Sequence, residues 1–98
     1  MSEPVVLTAE AEADLDEAVQ WYEQRSTRLG AQLVARVRDT LSRIGFNPDL
    51  YPEVYNGIRW APVRRFPYGV FYRRHRGRVE VIAVFHDRRN PSVWQSRV

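Results

Sequence analysis

The residues best suited to chemistry are arginines and one histidine in the second half of the chain. Arg64 and Arg65 stand just before Phe66-Pro67-Tyr68-Gly69-Val70-Phe71-Tyr72. His86, Arg88 and Arg89 follow the apolar run Val79-Glu80-Val81-Ile82-Ala83-Val84-Phe85. A guanidinium is a planar fork that grips a phosphate or carboxylate through two hydrogen bonds and stays charged. It therefore holds anions well and is a poor base. An unperturbed histidine titrates near ~6.5, so His86 is a candidate for moving a proton. The chemistry on offer is the binding of an anion, with His86 as a possible general base beside it. Each residue also has a plainer reading. Exposed arginines can be merely solvated, and a histidine is more often a satisfied structural residue.

Short strands must position these groups. Ile58, Trp60, Val63 and Phe66 belong to a strand that Pro62 interrupts, so it is bulged or lies at an edge. Arg64 and Arg65 would alternate faces on it, so at most one lines a given surface. Pro67-Tyr68-Gly69 reads as a tight turn or kink, residues 70–74 as the next strand, and Arg76-Gly77 as a hairpin turn. Residues 79–85 are apolar on both faces except for Glu80, which predicts the central, most buried strand. Pro91 ends it, and Val93-Trp94 begins a tail that can pack back on the sheet.

The first half reads differently. Val5-Val6-Leu7 is a short strand, and Thr8 is a good N-cap, with Glu10 and Glu12 in the first turn of a helix over residues 9–25. Leu15, Ala18, Val19 and Tyr22 form one face of that helix, flanked by Trp21, while the acidic run from Glu10 to Glu17, Asp14 included, reads as a solvated face. Ser26-Thr27 is a polar break. A second helix follows with the stripe Leu33, Val34, Val37, Leu41 and Ile44, Gly45 at its expected left-handed C-cap, and Pro48 beyond. Helices of about 17 residues joined by so short a break must form an antiparallel hairpin. Residues 47–56 read as a loop. The order β-α-α-β-β-β predicts an α+β fold, with the helix hairpin on one face of a twisted, mostly antiparallel sheet and the other face open to partners.

Length and composition narrow the function classes. Ninety-eight residues make one domain, residues 1–98, with a single modest core. The absence of cysteine excludes disulfides, thiolate chemistry and cysteine-based zinc sites. With two histidines, no metal and no cofactor are expected. No apolar run approaches the roughly 18 residues of a membrane span, and Met1-Ser2-Glu3-Pro4 has no secretory pattern, so a cytoplasmic protein is expected. All 15 basic residues are arginine. Residues 1–53 carry 10 acids against 5 arginines, and residues 54–98 carry 2 acids against 10 arginines. This split predicts an acidic helical face and a basic sheet face suited to nucleic acid or an acidic partner.

Several segments in this order and spacing resemble the RelE/ParE superfamily of toxins from type II toxin–antitoxin modules. They are Ala9-Glu10-Ala11-Glu12-Ala13-Asp14-Leu15, Trp21-Tyr22, Asn47-Pro48, Arg64 to Tyr72, and Val84-Phe85-His86-Asp87-Arg88-Arg89-Asn90-Pro91. The resemblance covers nearly the whole chain and lies closer to the ParE-like, plasmid-stabilisation members. It implies a poison held inactive by a cognate antitoxin, with a heterotetramer as one possible assembly. RelE-like members cut mRNA on the ribosome, whereas ParE-like members poison DNA gyrase. In the nucleases, strand lysines, two arginines and a C-terminal tyrosine do the work. Here the arginine positions fall at Arg64 and Arg88, the lysine positions near Trp60 and Pro62, and the tyrosine position at Trp94. The clamp for an anion is kept, while the basic pair and the phenol are missing. The resemblance therefore implies a gyrase inhibitor that is not itself an enzyme, with Arg64, Arg65, Arg88, Arg89 and Trp94 contacting target or antitoxin. The alternatives are a ribosome-dependent mRNA endonuclease using Arg64, His86 and Arg88, and an inactive toxin kept in an autoregulatory complex. The antitoxin is expected to lay an extended or helical acidic segment over the helix hairpin or the basic sheet face.

Overall fold

The computed structural model describes residues 2–98. Its elements are β1 (Val5–Leu7), α1 (Ala9–Glu23), α2 (Thr27–Phe46), β2 (Glu53–Tyr55), β3 (Ile58–Pro62), β4 (Tyr68–His75), β5 (Arg78–His86) and a single turn of helix, α3 (Ser92–Gln95). The sheet order is β1-β5-β4-β3-β2. β1 runs parallel to β5, and every other pair is antiparallel. The expected α+β arrangement of a helix hairpin on a mostly antiparallel sheet is what the chain adopts.

Local chemistry explains most element boundaries. The Thr8 hydroxyl accepts from the Ala11 amide at 3.1 Å, which fixes the start of α1. Asn56-Gly57 and Arg76-Gly77 both take positive φ, the geometry of two-residue hairpin turns, so β2 pairs with β3 and β4 with β5. Gly45 is a correction: it lies inside α2, and Asn47 is the C-cap. A Cβ on Gly45 would sit 3.1 Å from the Glu3 carbonyl oxygen and from Val5 Cγ2, so the glycine lets β1 approach the helix closely. Two further corrections concern the strands. Residues 47–56 are not all loop, because they contain β2. Tyr68 and Gly69 open β4 rather than turning, and Arg64 and Arg65 form the turn rather than a strand.

The helix-facing core joins Leu33, Val37 and Ile44 of α2 to Val70, Tyr72, Val79, Val81 and Val84 of the sheet. Along β5 the usual alternation breaks once. Phe71 pairs with Ala83 and its neighbour Tyr72 with Val81, so Ile82 is an extra, bulged residue. Ile82 and Ala83 therefore both join the second face, and Val84 returns to the first. This is why β5 reads as apolar on both faces. The second face is not left open as expected. Trp94 of α3 covers it, stacked on Phe71 at 4.3 Å and edge-on to Tyr55 at 5.7 Å.

The bulge and the shortness of β1 leave the outer edge of β5 without a strand partner beyond Val81. Asp14 and Arg97 fill that edge. Asp14 Oδ2 accepts from the Val84 amide at 3.1 Å, and Arg97 donates to the Ile82 carbonyl at 3.0 Å. The two side chains grip each other through two nitrogens, at 2.7 and 3.1 Å. Asp14 is buried, which corrects its placement on the solvated acidic face. The hydrogen bond to Asp14 raises the Arg97 pKa above its ordinary value, although burial works against the charge.

Tyr72 ties the sheet to the segment after α2. It is fully buried and donates to the Pro48 carbonyl at 2.6 Å. Burial, the largest influence, pushes its phenol up to about 12, while nearby Arg59 pulls it down. Below the unfolded tyrosine value near ~10 this group adds no pH dependence. Above it, the unfolded chain releases the proton while the folded chain keeps it, so stability falls until the folded phenol also ionises. Urea unfolding at pH 9 and pH 11 should show the native chain losing about 1 kcal/mol that Tyr72→Phe does not lose. An equal loss in both proteins would contradict this assignment.

Candidate functional site

The register of β4 on β5 sets Tyr68 opposite His86, so the turn before β4 and the segment after β5 meet at one end of the sheet. The Asp87 amide donates to the Pro67 carbonyl at 2.8 Å, and the Val63 amide to the Tyr68 carbonyl at 2.9 Å. The first bond holds the two segments side by side, and the second closes the turn that carries Arg64 and Arg65. Arg64 and Arg65 project from the first, Arg88 and Arg89 from the second, and all four are exposed. Sequence reasoning found these arginines; the structure brings all four to one end. The basic surface is thus an end of the sheet rather than a face.

The ion pairing differs between the two ends. Among the described residues, none of these four arginines has a carboxylate within ion-pair distance. Toward the opposite end, Arg73 pairs with Glu80 at 2.9 Å, Arg74 with Glu3 at 2.8 Å and Asp49 at 3.3 Å, and Arg59 with Asp49 at 3.9 Å. Of the ten arginines of the second half, Arg59, Arg73, Arg74 and Arg97 are paired, while Arg76 and Arg78 in the far hairpin, like the four here, have no carboxylate within ion-pair distance among the described residues. Arg65 holds φ +67°, a conformation that favours glycine or asparagine. Arg89 lies over the Phe85 ring, 4.3 Å from its centroid.

His86 faces the α1 side, where it lines a cleft of about 350 Å³ with Glu17, Trp21, Tyr22, Tyr68 and Arg89. Its Nδ1 accepts from the Arg88 amide at 3.0 Å. In the neutral ring the proton is then on Nε2, so neither nitrogen offers a free lone pair while that bond stands. The ring of Tyr68 meets His86 edge-on at 5.2 Å. Burial is the main reason the Tyr68 phenol is raised, with Tyr22 and Glu17 adding to it and Arg89 opposing, so the phenol stays protonated at neutral pH.

The other sequence-derived positions fall elsewhere. Trp94 is 4% exposed and packs back on the sheet, as its place in the tail suggested, with its ring stacked on Phe71. The Trp60 indole lies against Gly69, where a Cβ would collide with it. Sequence reasoning missed Asp14 and Arg97. The signal for Asp14 was present, since Ala11, Asp14 and Ala18 are the buried positions of α1 and follow helical spacing. No cluster of His, Cys, Asp and Glu among the described residues has the makings of a metal site. No described helix is long and apolar enough to cross a membrane.

Residues 5–91 match the model of a family described as the ParE toxin of the type II toxin–antitoxin system, parDE. No curated protein matches the sequence. Among solved structures, a chain described as the chromosomal ParDE TA system from P. aeruginosa is similar at a TM-score of 0.77 and 16% identity. The match covers 87% of this chain and 96% of that one, so the two share a fold.

The bond from the Arg88 amide makes His86 a brace for the turn that carries the arginines. His86→Ala should cost about 1 kcal/mol in urea unfolding. His86→Asn should recover most of that, because an asparagine oxygen can accept from the amide two residues on. Equal losses in the two variants would show that His86 contributes something other than this bond.

Proposed function

We propose a function from one premise: the chain belongs to the ParE toxin family of type II toxin–antitoxin systems. It arrests growth by binding DNA gyrase and blocking its cycle, without cutting nucleic acid itself, and a cognate antitoxin neutralises it. The observation that carries this reading is that His86, the candidate base beside the free arginines, has its Nδ1 taken by the Arg88 amide. Breaking RNA through its 2′-hydroxyl needs a group to take that proton and one to protonate the leaving oxygen. Arginine does neither. His86 has Nδ1 committed to the Arg88 amide, and Trp94 is buried under the sheet. What remains is a set of cations able to hold an anion or an acidic surface, which is the equipment of a binder.

Arg64, Arg65, Arg88 and Arg89 are then the contacts to the target, gyrase with its DNA, or to the antitoxin. The helix hairpin packs on one sheet face and Trp94 of α3 on part of the other, and the antitoxin is assigned to the outside of the hairpin. There Trp21 stands 48% exposed at the mouth of the cleft.

The test adds the purified chain to gyrase, ATP and relaxed plasmid. Supercoiling should stop, or cleaved DNA should accumulate, in proportion to the dose, and the cognate antitoxin should restore the normal cycle. Undisturbed supercoiling over a roughly thousandfold dose range would overturn the reading, most directly if protein synthesis stops before DNA synthesis in induced cells.

A further inference from the structure

We propose that the end of the sheet carrying Arg64, Arg65, Arg88 and Arg89 is a binding site for the phosphates of duplex DNA. The inference rests on the gyrase reading only in naming DNA as the polyanion; the site itself is argued from geometry. Its first support is the contrast in pairing. Arg59, Arg73, Arg74 and Arg97 each lie beside a carboxylate; the four arginines of this end have none among the described residues, and they gather on two joined segments, whereas the likewise unpaired Arg76 and Arg78 share a single hairpin turn. Asp87 is the one acid within residues 63–68 and 86–91, so this end carries a net positive charge. Like charges gathered without counter-ions repel one another, and a polyanion relieves that repulsion.

The second support is that the arginines are held rather than trailing. The two segments are joined by the bond from Asp87 to Pro67. The Arg88 amide is bound to His86, Arg89 lies over Phe85, and Arg65 sits at φ +67°. A non-glycine residue in that region is strained and persists only where its surroundings impose it. A cationic group pre-set in this way loses less freedom when it meets a phosphate.

The third support selects nucleic acid over protein. Specific protein interfaces have an apolar, often aromatic, centre inside a polar rim. Among the described residues the large exposed hydrophobics are Val6, Trp21, Phe46, Leu50, Val54, Val93 and Val98; none lies within residues 63–68 or 86–91, and Trp21 borders this end only across the cleft that Arg89 also lines. A surface of arginines without an apolar centre suits a sugar–phosphate backbone, where affinity comes from counter-ion release and carries no base sequence. The site is built from two turns and offers no helix to enter a groove, so its contacts are to the backbone alone.

The experiment measures fluorescence anisotropy of a labelled 20-base-pair duplex with the full purified chain, without gyrase, across a salt series. Binding is expected at 50 mM salt. The logarithm of the binding constant should fall against the logarithm of salt with a slope of about −3, as for three to four phosphates. Arg64→Ala with Arg65→Ala, and separately Arg88→Ala with Arg89→Ala, should each cut the slope by about 1.5 and the affinity at least tenfold. Arg76→Ala with Arg78→Ala, at the opposite hairpin, should change affinity less than twofold. Urea midpoints of the variants confirm that they remain folded. No binding at 50 mM salt, or an equal loss in the Arg76 and Arg78 variant, overturns the proposal. So does a chain that ignores the duplex but whose inhibition of gyrase falls with these arginine pairs, because the surface is then a protein contact. Duplex binding that follows the expected pattern beside fully active gyrase leaves this site standing and removes the gyrase reading.

Discussion

The carboxylate of Asp14 closes the edge of the central strand, and much of the molecule is arranged around it. A nine-residue β5 is matched by a three-residue β1, so an unpaired strand edge would otherwise run on past Val81. Such an edge is a template for unwanted pairing and a set of unmet polar groups. Asp14 takes the Val84 amide, Arg97 supplies the Ile82 carbonyl, and the two neutralise each other. Their side chains are only 7% and 16% exposed, so each charge depends on the other. Removing one partner of a buried pair typically costs about 3–5 kcal/mol, because the survivor is left unpaired.

Two consequences follow from this clamp. Arg97 is three residues from Trp94, so anchoring it holds α3 over Phe71 and closes the second face of the sheet. Asp14 also fixes α1 against β5 near the His86 cleft, and His86 in turn braces the turn bearing Arg88. The pairing of Tyr68 with His86 carries that order across to Arg64 and Arg65. A frame satisfied in its interior thus gathers four unpaired cations at one end.

The helix hairpin and the central strand were legible in the sequence because their signals are local and strong. Leu33, Val37 and Ile44 recur at helical spacing, Thr8 caps α1, and residues 79–85 are apolar throughout. β2 was obscured because its residues are half or fully exposed, although Asn56-Gly57 marked its hairpin. The bulge at Ile82 has no sequence signature, since it depends on how β4 pairs with β5. Arg65 went unread as a turn residue because arginine there goes against the usual preference for glycine or asparagine at positive φ. The four arginines could be named from sequence, but their meeting depends on strand register. Arg97 contacts Asp14 across 83 positions, a separation that no local pattern reveals. That the tail at Trp94 packs back on the sheet was legible from the sequence, but its stacking partner Phe71 was not.

The clamp is tested most directly by a double-mutant cycle in urea unfolding with Asp14→Asn, Arg97→Met and the two combined. The account expects each single change to be strongly destabilising and the pair to be coupled by about 2 kcal/mol or more, because the second loss no longer strands a charge. Single effects that add within about 0.5 kcal/mol would contradict it and show that the edge of β5 is held by something else.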